Sequence, residues 1–428
     1  MLESGEAARR LGVKLTTLYA YVSRGLLVSR PAPSGRRSLF DADEVERLAR
    51  RSRQGKTVET RMATVTTSVT HLTEHGPVYR GRRATDLATT ASFEEVADLL
   101  WDVPVDFAAP AAPGSPGVTT SGPAWQPLPL GRPPDFAASD RMRWAVVMAG
   151  ARDPLRADLR PPSVTRAVRG VAASMVEVLA VPERRSDGSS AAAIGRAGTP
   201  SHPLVLADGR VRSDSLAERL TARLSPAPTG DLVRGVNAAL VLMADHELAT
   251  STMAVRVAAS TRADVYDVLL AGLGTIAGPL HGGASQQAYA LLIDARRLGV
   301  ERALNETLRW RGLLPGFGHT VYKDGDPRFS VLLDLFERMG RQEDVVLVHS
   351  LVELAADRAI PPPNVDLALA AMAWTTGMPE DTGQTLFAVA RVAGWVAHYL
   401  EELGERPLRY RARAVYASSD RAGGGDGP

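Results

Sequence analysis

At 428 residues, of which 45% are hydrophobic, the chain is long enough for two or three domains with a sizeable core. It contains no cysteine, which excludes disulfides, thiolate metal sites and cysteine nucleophiles. No apolar run approaches the roughly 18 residues of a membrane-spanning helix. The first six residues, Met1-Leu-Glu-Ser-Gly-Glu, are acidic where a signal peptide is basic. The composition therefore predicts a cytoplasmic protein with no membrane partner.

The formal net charge of +2 is unevenly distributed. Residues 1–53 carry 11 basic and 6 acidic side chains, whereas the remainder carries 39 and 42. A small basic head thus precedes a slightly acidic body, and nucleic acid is a partner that such a head would attract. Only three residues are lysines, Lys14, Lys56 and Lys323, and codon bias in a GC-rich genome explains that scarcity.

The first 54 residues are expected to form a small helix-turn-helix unit with a wing. Apolar spacing, glycine breaks and an Asp-Ala-Asp cap predict, in chain order, a helix over Glu6–Leu11, a helix over Leu15–Val22, a wing over Arg36–Phe40 and a helix over Glu44–Arg51. The segment Ala7–Val22 resembles the MerR or excisionase type of winged helix. A purely structural hairpin is the alternative for such short helices joined at glycine.

The stretch between the head and the main helical region contains three different sequence patterns, and a fourth feature interrupts the helical region itself. Residues Thr57–Val69 alternate β-branched and polar side chains, which favours one or two short strands. Ser92 and Glu95 form a capping-box pattern that opens a helix. Nine of the 29 prolines fall between Pro104 and Pro134, so that stretch is expected to be an exposed insertion or loop. A polar gap at Glu183–Ser190 is expected to interrupt the body.

The rest of the body is predicted to be all-α, because long apolar runs with helical periodicity dominate and no alternating βαβ pattern occurs. The predicted helices cover Asp140–Ala151, Ser163–Leu179, Asp214–Leu224, Asp231–His246, Thr250–Ser260, Asp264–Ile276, Gln286–Leu298, Val300–Trp310, Arg328–Met339, Glu343–Ala359, Leu367–Thr376 and Thr385–Glu402.

Three short segments carry the residues that would do chemistry: Gly278-Pro-Leu-His-Gly-Gly-Ala-Ser285, Gly316-Phe-Gly-His-Thr-Val-Tyr-Lys-Asp-Gly-Asp-Pro-Arg328 and Pro363-Asn-Val-Asp366. Each places one titratable group, His281, His319 or Asp366, beside glycine or proline, where a helix or loop ends. A helix start after His281 would keep its imidazole neutral and able to donate a hydrogen bond. Two imidazoles and a carboxylate are a set for removing a proton beside a carbonyl and polarising a second carbonyl.

In this order and with these flanks, the three segments resemble the citrate synthase family, and the resemblance extends from about Met62 to Tyr416. It implies a fold with a large helical domain over residues 55–283 and 386–428 and a smaller one over 284–385 that closes the site, preceded by the winged helix of residues 1–54. It also implies that Asp366 takes the methyl proton of acetyl-CoA and His281 stabilises the resulting enol. His319 would polarise the ketone of the oxoacid.

The same resemblance implies the binding residues, including an arginine that reaches the site of a partner subunit in a homodimer. The implied set is His246, Arg328, Arg391 and Arg411 for the oxoacid, Arg411 acting across the dimer, and Lys323, Gly316 and Gly318 for coenzyme A. A solvated loop lysine is the alternative for Lys323.

The sequence departs from the family pattern at four places. Met243 stands where many members have a second histidine, Ala249 where many have asparagine and Ala412 where proline is usual. The residues after Asp366, Leu367-Ala-Leu-Ala, replace an aromatic and small-polar continuation. These departures concern the shape of the pocket and the choice of substrate more than proton transfer.

The sequence therefore predicts the condensation of acetyl-CoA with oxaloacetate to citrate and CoA, with acetyl-CoA as co-substrate and no permanently bound cofactor or metal. A 2-methylcitrate synthase that uses propionyl-CoA would show nearly the same residues. A DNA-binding regulator with a ligand-sensing body is the alternative from another class, and a head used only for packing is a third. The histidines outside the motifs, including His398, are expected to be surface or capping residues.

Overall fold

The computed structural model describes residues 65–104, 125–181 and 202–411, and, in the head, residues 1–11, 13, 18, 21–22, 27, 29–31 and 38–46. The chain divides into two compact units, Met1–Thr66 and Thr67–Pro428. The predicted boundary at residue 54, the second half of the predicted third head helix and most of the predicted proline-rich loop lie outside the described residues. The division of the body into large and small domains stays a prediction.

The described residues of the head form one complete helix, a helical segment over residues 42–46 and a small antiparallel sheet. Strand β1 (Leu2–Glu3), helix α1 (Ser4–Leu11), β2 (Ser29–Pro31) and β3 (Ser38–Phe40) follow in chain order, and β3 lies between the other two strands. Their apolar side chains, with Leu18, Leu27 and Val45, form a core of their own. The pairing of β2 with β3 is the wing that the sequence predicts, but Arg36 and Arg37 lie outside the described residues.

The body is mostly helical, as predicted. Its strands are β4 (Thr70–Thr73), β5 (Gly76–Tyr79), β6 (Arg82–Arg83), β7 (Leu204–Val205) and β8 (Val211–Arg212), and its helices are α2 (Ala84–Thr90), α3 (Phe93–Leu100), α4 (Ala138–Arg152), α5 (Pro161–Glu177), α6 (Leu216–Leu224), α7 (Gly230–Met243), α8 (Thr250–Ser260), α9 (Val265–Ile276), α10 (Ala284–Leu298), α11 (Val300–Arg311), α12 (Pro327–Met339), α13 (Gln342–Asp357), α14 (Val365–Thr375) and α15 (Thr382–Leu403).

All twelve predicted body helices are present, and side-chain caps fix several of their starts. The capping box at Ser92 is confirmed: its hydroxyl accepts from the backbone N–H of Glu95, and the Glu95 carboxylate accepts from the N–H of Ser92. Asp264 caps α9 by accepting from two backbone N–H groups. The first strand of the body starts at Thr70, so the described end of the predicted Thr57–Val69 strand is not a strand.

Helix α15 runs through the core of the body. Its large side chains Trp395 and Tyr399 are fully buried, and the helix packs against α5, α7, α8 and α9. Most of its side chains are buried, which a helix achieves only when other helices surround it. Arg391 and His398 are therefore carried into the interior by an element that has little freedom to move. Among the described residues, none of the helices has the length and apolar character needed to cross a membrane.

One helix ends earlier than its apolar pattern predicts. The run Asp231–His246 predicts a helix to residue 246, but α7 ends at Met243. The buried hydroxyl of Tyr79 lies within hydrogen-bond distance of the backbone oxygens of Val241, Leu242 and Asp245, at 3.0, 3.2 and 3.2 Å. This distant side chain supplies a hydrogen-bond donor to the free backbone carbonyls at the end of the helix, so the backbone can turn and place His246 in a loop.

Gly394 allows α15 to approach the segment after α7. Its N–H donates to the carbonyl of Ala244 at 3.0 Å, and a Cβ at this position would overlap the carboxylate of Asp245. We expect Gly394→Ala to lower the free energy of unfolding by about 1 to 3 kcal/mol, because the packed interior has no room for a methyl group. Denaturant unfolding measures the change.

Gly274→Ala is the matched control, since Gly274 lies in α9 and the space that a Cβ would occupy there is open. Alanine there should raise the free energy of unfolding by about 0.5 to 1 kcal/mol through helix propensity. Equal effects of the two substitutions would contradict the packing explanation.

Candidate active site

A cleft of about 540 Å³ in the body brings most of the predicted site residues together. The loop after α7, the turn before α10, the loop before α12, the start of α14 and one face of α15 each contribute to its wall. Its titratable and cationic lining residues include His246, His281, His319, Arg328, Asp366 and Arg391.

Backbone pairing places two of the three motif segments side by side. The N–H of Gly318 donates to the carbonyl of Pro362 at 2.7 Å, and the N–H of Asn364 donates to the carbonyl of Gly316 at 2.9 Å. Gly316 and Gly318 have positive φ, +83° and +76°, which favours glycine over other residues. The side-chain amide of Asn364 also donates from Nδ2 to the carbonyl of Gly318 at 2.7 Å. His319 and Asp366 follow directly from these paired segments.

The carboxylate of Asp326 joins the starts of two helices. It accepts from Nε and Nη2 of Arg328 at 2.9 and 2.8 Å, and from the backbone N–H of Arg328 at 3.1 Å. It also accepts from the N–H of Val365 at 3.0 Å, one residue before Asp366. Burial favours a raised pKa for Asp326, but the Arg328 guanidinium and these hydrogen bonds hold it below its usual value. Asp326 therefore stays ionised and fixes Arg328 relative to α14.

Asp366 lies in the first turn of α14 without serving as its cap. Asn364 is the N-cap, and its side chain accepts from the N–H of Asp366 at 3.0 Å. The carboxylate itself makes no hydrogen bond to any other described residue and faces the cleft. Burial raises the pKa of Asp366 to about 6, against a smaller opposing effect of Arg328. A carboxyl group with this pKa is suited to act as a base near neutral pH.

His319 is held in one tautomer by the backbone that follows it. Its Nδ1 accepts from the N–H groups of Val321 and Tyr322 at 3.0 and 3.2 Å. Nε2 lies 3.4 Å from Nη2 of Arg328, a longer contact than the two to Nδ1, so we assign the hydrogen of the neutral ring to Nε2. Burial, and then the positive charge of Arg328, lowers the pKa of His319 to about 4. At neutral pH His319 is thus an uncharged hydrogen-bond donor.

His281 lies in the turn before α10, as the sequence predicts. Its Nε2 is 2.8 Å from the hydroxyl of Ser251, which also accepts from Nε1 of Trp395 at 3.3 Å. The Ser251 hydroxyl can donate to Nε2 while it accepts from Trp395, and in that arrangement the ring hydrogen of His281 lies on Nδ1. Burial, followed by the charge of Arg391, lowers the pKa of His281 to about 4.

His246 and Tyr322 form a second pair of aromatic polar groups in the site. Nε2 of His246 lies 3.1 Å from the hydroxyl of Tyr322. The Tyr322 ring stacks on His319 with centroids 4.7 Å apart. Burial, and then the charges of Arg328 and Arg391, lowers the pKa of His246 well below its usual value. Burial raises the pKa of Tyr322 to about 12, so its hydroxyl stays protonated.

Arg391 is a buried cation with unmet hydrogen-bonding capacity. It is 1% exposed, and its Nε and Nη1 atoms have no hydrogen-bond partner among the described residues. The nearest carboxylate oxygen is Oδ1 of Asp245, 3.8 Å from Nη1, which is too long for a hydrogen bond. Burying unpaired donors of a charged group is costly, so this guanidinium is expected to pair with a bound anion.

Three predicted residues lie outside the cleft lining. Gly316 supports the His319 loop from behind, where a Cβ would press on Leu367. Lys323 is exposed, and its ammonium group donates to the carbonyl of His319 at 3.3 Å. Arg411 is exposed at the end of the described chain and does not line the cleft. The roles assigned to these three residues stay predictions.

Several site residues were not predicted from the sequence. Tyr322 lies inside the quoted motif beside His319, so proximity in sequence was an available signal. Asp326 also lies in that motif, two residues before Arg328, whereas Ser251 and Phe387 contact His281 from other helices and no local pattern indicates them. The expectation that His398 is a surface or capping residue is wrong: it is 0% exposed and lies among buried charged groups behind the cleft.

Sequence comparison assigns both parts of the chain to known groups. Residues 58–413 match the profile of the family described as citrate synthase, C-terminal domain, and residues 1–53 match a helix-turn-helix domain. Citrate synthase 2 of Bacillus subtilis is 34% identical over 194 residues, 44% of this chain and 52% of that protein. That match spans about half of the length of the relative.

Two further similarities cover more of the chain. 2-Methylcitrate synthase 2 of Corynebacterium glutamicum is 29% identical over 348 residues, 77% of this chain and 86% of that protein. The structure of the ternary complex of Thermoplasma acidophilum citrate synthase with carboxymethyl coenzyme A and oxaloacetate is similar in fold, with a TM-score of 0.61 at 23% identity. The superposition covers 85% of this chain and 96% of that one.

The raised pKa of Asp366 has a consequence for stability. A carboxyl group that is harder to ionise when folded binds its proton more tightly in the native state. The raised pKa therefore has no effect on the free energy of unfolding below about pH 4, lowers it progressively between about pH 4 and 6, and lowers it by a constant amount above about pH 6. Asp366→Asn removes the ionisable group and with it this destabilisation. The variant should therefore be more stable than the wild type at pH 8 by about 1 to 3 kcal/mol and equally stable at pH 4.

Denaturant unfolding at both pH values measures this difference. The matched control is Asp334→Asn, an exposed aspartate on α12, which should change the stability little at either pH. A variant at position 366 that is no more stable at pH 8 than the wild type would contradict the raised pKa.

Proposed function

Because the chain belongs to the citrate synthase family, we propose that it condenses an acyl-CoA with oxaloacetate and hydrolyses the resulting thioester. The products are citrate and CoA when the acyl group is acetyl. Acetyl-CoA is then a co-substrate, and no permanently bound cofactor is required. The cytoplasmic location stays the prediction made from composition.

The observation that carries this proposal is the protonation pattern of one cleft. Asp366 has a carboxylate with a pKa of about 6 and no hydrogen-bond partner among the described residues, while His281 and His319 have pKa values of about 4 and stay neutral. One base and two neutral donors are what abstraction of a proton beside a thioester carbonyl requires. A site that only senses a ligand has no need of this combination.

In the proposed first step, Asp366 removes a proton from the carbon beside the thioester carbonyl. His281 donates a hydrogen bond from Nδ1 to the thioester oxygen as negative charge develops there. In the second step, the enol carbon forms a bond to the ketone carbon of oxaloacetate and the C=O π bond opens. His319 hydrogen-bonds the ketone oxygen from Nε2 and delivers a proton to it, which balances the proton that Asp366 removed. Water then cleaves the thioester and releases CoA.

The oxoacid is proposed to bind through its two carboxylates. Arg391 has unmet donors, and the Nη1 of Arg328 is not used by Asp326, so both guanidiniums can reach an anion in the cleft. The ring of His246 has its centroid 5.4 Å from that of His319, and as a neutral ring it can hydrogen-bond the same ligand. A dianion is thus favoured over a neutral ketone.

The acyl chain is left open between acetyl and propionyl. Relatives named citrate synthase and 2-methylcitrate synthase both align with the chain. Ala249 lines the cleft and Leu367 lies immediately behind it, and both differ from the usual family residues. A propionyl-CoA-dependent 2-methylcitrate synthase is therefore the second candidate function.

A thiol-release assay tests the proposed function directly. The purified full chain is mixed with oxaloacetate and either acetyl-CoA or propionyl-CoA, and free CoA is followed with a thiol reagent, which the cysteine-free protein does not consume. Release that depends on oxaloacetate supports the proposal, and the ratio of the two kcat/KM values decides the acyl preference. No release with either thioester would refute the enzymatic function and favour a ligand sensor.

The proposed base makes a quantitative prediction. Asp366→Asn should lower kcat by two or more orders of magnitude while oxaloacetate still binds. In the wild type, kcat/KM should fall about tenfold per pH unit below about pH 6, because the base is then protonated. Steady-state kinetics measure both effects. Near-normal turnover of the variant would contradict the role of Asp366.

His281→Ala should cause a comparable loss, and the double variant should lose much less than the product of the two single losses. The two residues are proposed to act on one proton-transfer step, so their effects are not independent. Independent, multiplicative losses would argue against a shared step.

A homodimer in which Arg411 completes the partner site is a further part of the proposal. Subunits with Asp366→Asn and subunits with Arg411→Ala are each expected to be inactive. Mixed dimers would contain one site with both residues intact, so activity should partly return after subunit exchange. The recovered thiol-release rate measures it. An absence of recovery after demonstrated exchange would place Arg411 outside the neighbouring site.

For the head we propose binding to DNA, as a second function supported by separate observations. Residues 1–53 match a helix-turn-helix domain and carry an excess of basic side chains, and β2 and β3 pair as a wing. Two heads on a dimer would suit a two-fold symmetric site. The residues expected to face the major groove, Lys14, Thr16, Thr17 and Tyr19, lie outside the described residues.

A mobility-shift assay on genomic fragments at low salt tests the head. Binding should weaken steeply as salt is added, because phosphate contacts release counterions, and should fall when Arg36 and Arg37 become alanine. Deleting residues 1–54 should abolish the shift and leave condensation largely unchanged. If no fragment shifts, with or without oxaloacetate and acetyl-CoA, the head has a packing role.

A further inference from the structure

A chain of buried charged groups lies behind the cleft and ends at Arg391. Asp245, Arg256, His398 and Glu402 are each 0% exposed, although none of them is expected to touch substrate. They come from the loop after α7, from α8 and from α15. Burying so many ionisable groups is costly unless each is paired, so we expect their arrangement to serve the function of the cleft.

Hydrogen bonds fix the tautomer of His398. Nδ1 of His398 lies 3.1 Å from Nε and 2.8 Å from Nη2 of Arg256. A guanidinium can only donate, so Nδ1 must accept, and the neutral ring carries its hydrogen on Nε2. That Nε2 lies 3.2 Å from Oδ2 of Asp245 and donates to it. His398 therefore transmits the orientation of Arg256 to Asp245.

Arg256 is itself held from the other side. Its Nη1 donates to Glu402 at 2.8 Å, and its Nη2 pairs with Glu401. Glu402 also accepts from Nε and Nη2 of Arg409 at 2.7 and 2.6 Å. These carboxylates neutralise the buried guanidinium and prevent it from rotating away from His398. The chain of contacts is thus anchored at its outer end by α15 and the segment that follows.

At the inner end of this chain of contacts, the orientation of the Asp245 carboxylate determines the electrostatic field at Arg391. Oδ2 of Asp245 accepts from His398 and from the N–H of Glu247 at 3.1 Å, which leaves Oδ1 facing Nη1 of Arg391 at 3.8 Å. At this distance the carboxylate balances the charge of Arg391 without occupying its donors. If Asp245 rotated and bonded Arg391 directly, those donors would no longer be available to a ligand.

We propose that His398 is a positioning residue for oxoacid binding, which holds the carboxylate of Asp245 so that Arg391 keeps its donors free. The inference rests on the proposed function, since it assigns the ligand of Arg391 as a carboxylate of the oxoacid. It goes beyond the catalytic set because His398 touches neither substrate nor reacting atoms.

Two conservative substitutions separate the two hydrogen bonds of His398. Glutamine carries its amide nitrogen near the place of imidazole Nε2, so His398→Gln keeps a donor for Asp245. Asparagine carries an amide oxygen near the place of Nδ1, so His398→Asn keeps an acceptor for Arg256 and loses the donor. We expect His398→Asn to raise the Kd and KM for oxaloacetate tenfold or more, and His398→Gln to raise them less than threefold.

The KM for acetyl-CoA should change little in either variant, and thermal unfolding should show similar losses in both. His349→Asn and His349→Gln are the matched controls, because His349 pairs with Glu337 away from the cleft. Calorimetric binding of oxaloacetate to the full-length protein gives Kd. Equal affinities of the two position-398 variants, or an affinity that follows stability alone, would overturn the proposal.

The failure of this inference and the failure of the proposed function give different results. Wild-type protein that binds no oxaloacetate refutes the proposed function and this inference together, whereas equal variant affinities with a binding wild type refute only the inference. If the variants do not fold, nitrogen-15 spectra of histidine-labelled wild type decide. A neutral His398 with its hydrogen on Nε2 supports the proposal, and a hydrogen on Nδ1 overturns it.

Discussion

The geometry of the site depends first on the carboxylate of Asp326. Four hydrogen bonds end on it, three from Arg328 and one from the backbone N–H of Val365. Without this negative charge, a buried guanidinium would face the positive ends of two helices, and all three would repel one another. Because Asp326 stays ionised, Arg328 and Asp366 keep a fixed separation on elements that are almost 40 positions apart in sequence.

The cleft therefore contains charged arginines next to uncharged histidines. Arg328 and Arg391 remain cationic while the three histidines around them remain neutral, partly because the arginines disfavour a further positive charge. At Asp366, burial has a larger effect than the opposing charge of Arg328 and holds the pKa near 6. A dianionic ligand would satisfy the cations, and its own charge would in turn affect the acidity of every neighbouring group.

The sequence predicted the helices well because their apolar periodicity reports burial directly, and Thr250–Ser260 was placed to the residue. It also identified the three motif segments, since glycine and proline mark where side chains can project from helix ends. It did not predict the early end of α7, which depends on the hydroxyl of Tyr79 from a distant strand. Nor did it predict the burial of His398, because its partner Arg256 lies on another helix and no local pattern links them.

The position of Lys323 has a practical consequence. It is exposed next to the His319 loop, and the sequence contains only two other lysines, Lys14 and Lys56, both in or next to the head. An amine-reactive fluorophore would thus label the body at a single side chain beside the cleft, and a chain lacking residues 1–56 would carry only that side chain and its α-amino group. Such a label would report the local environment of the cleft in solution without any introduced cysteine.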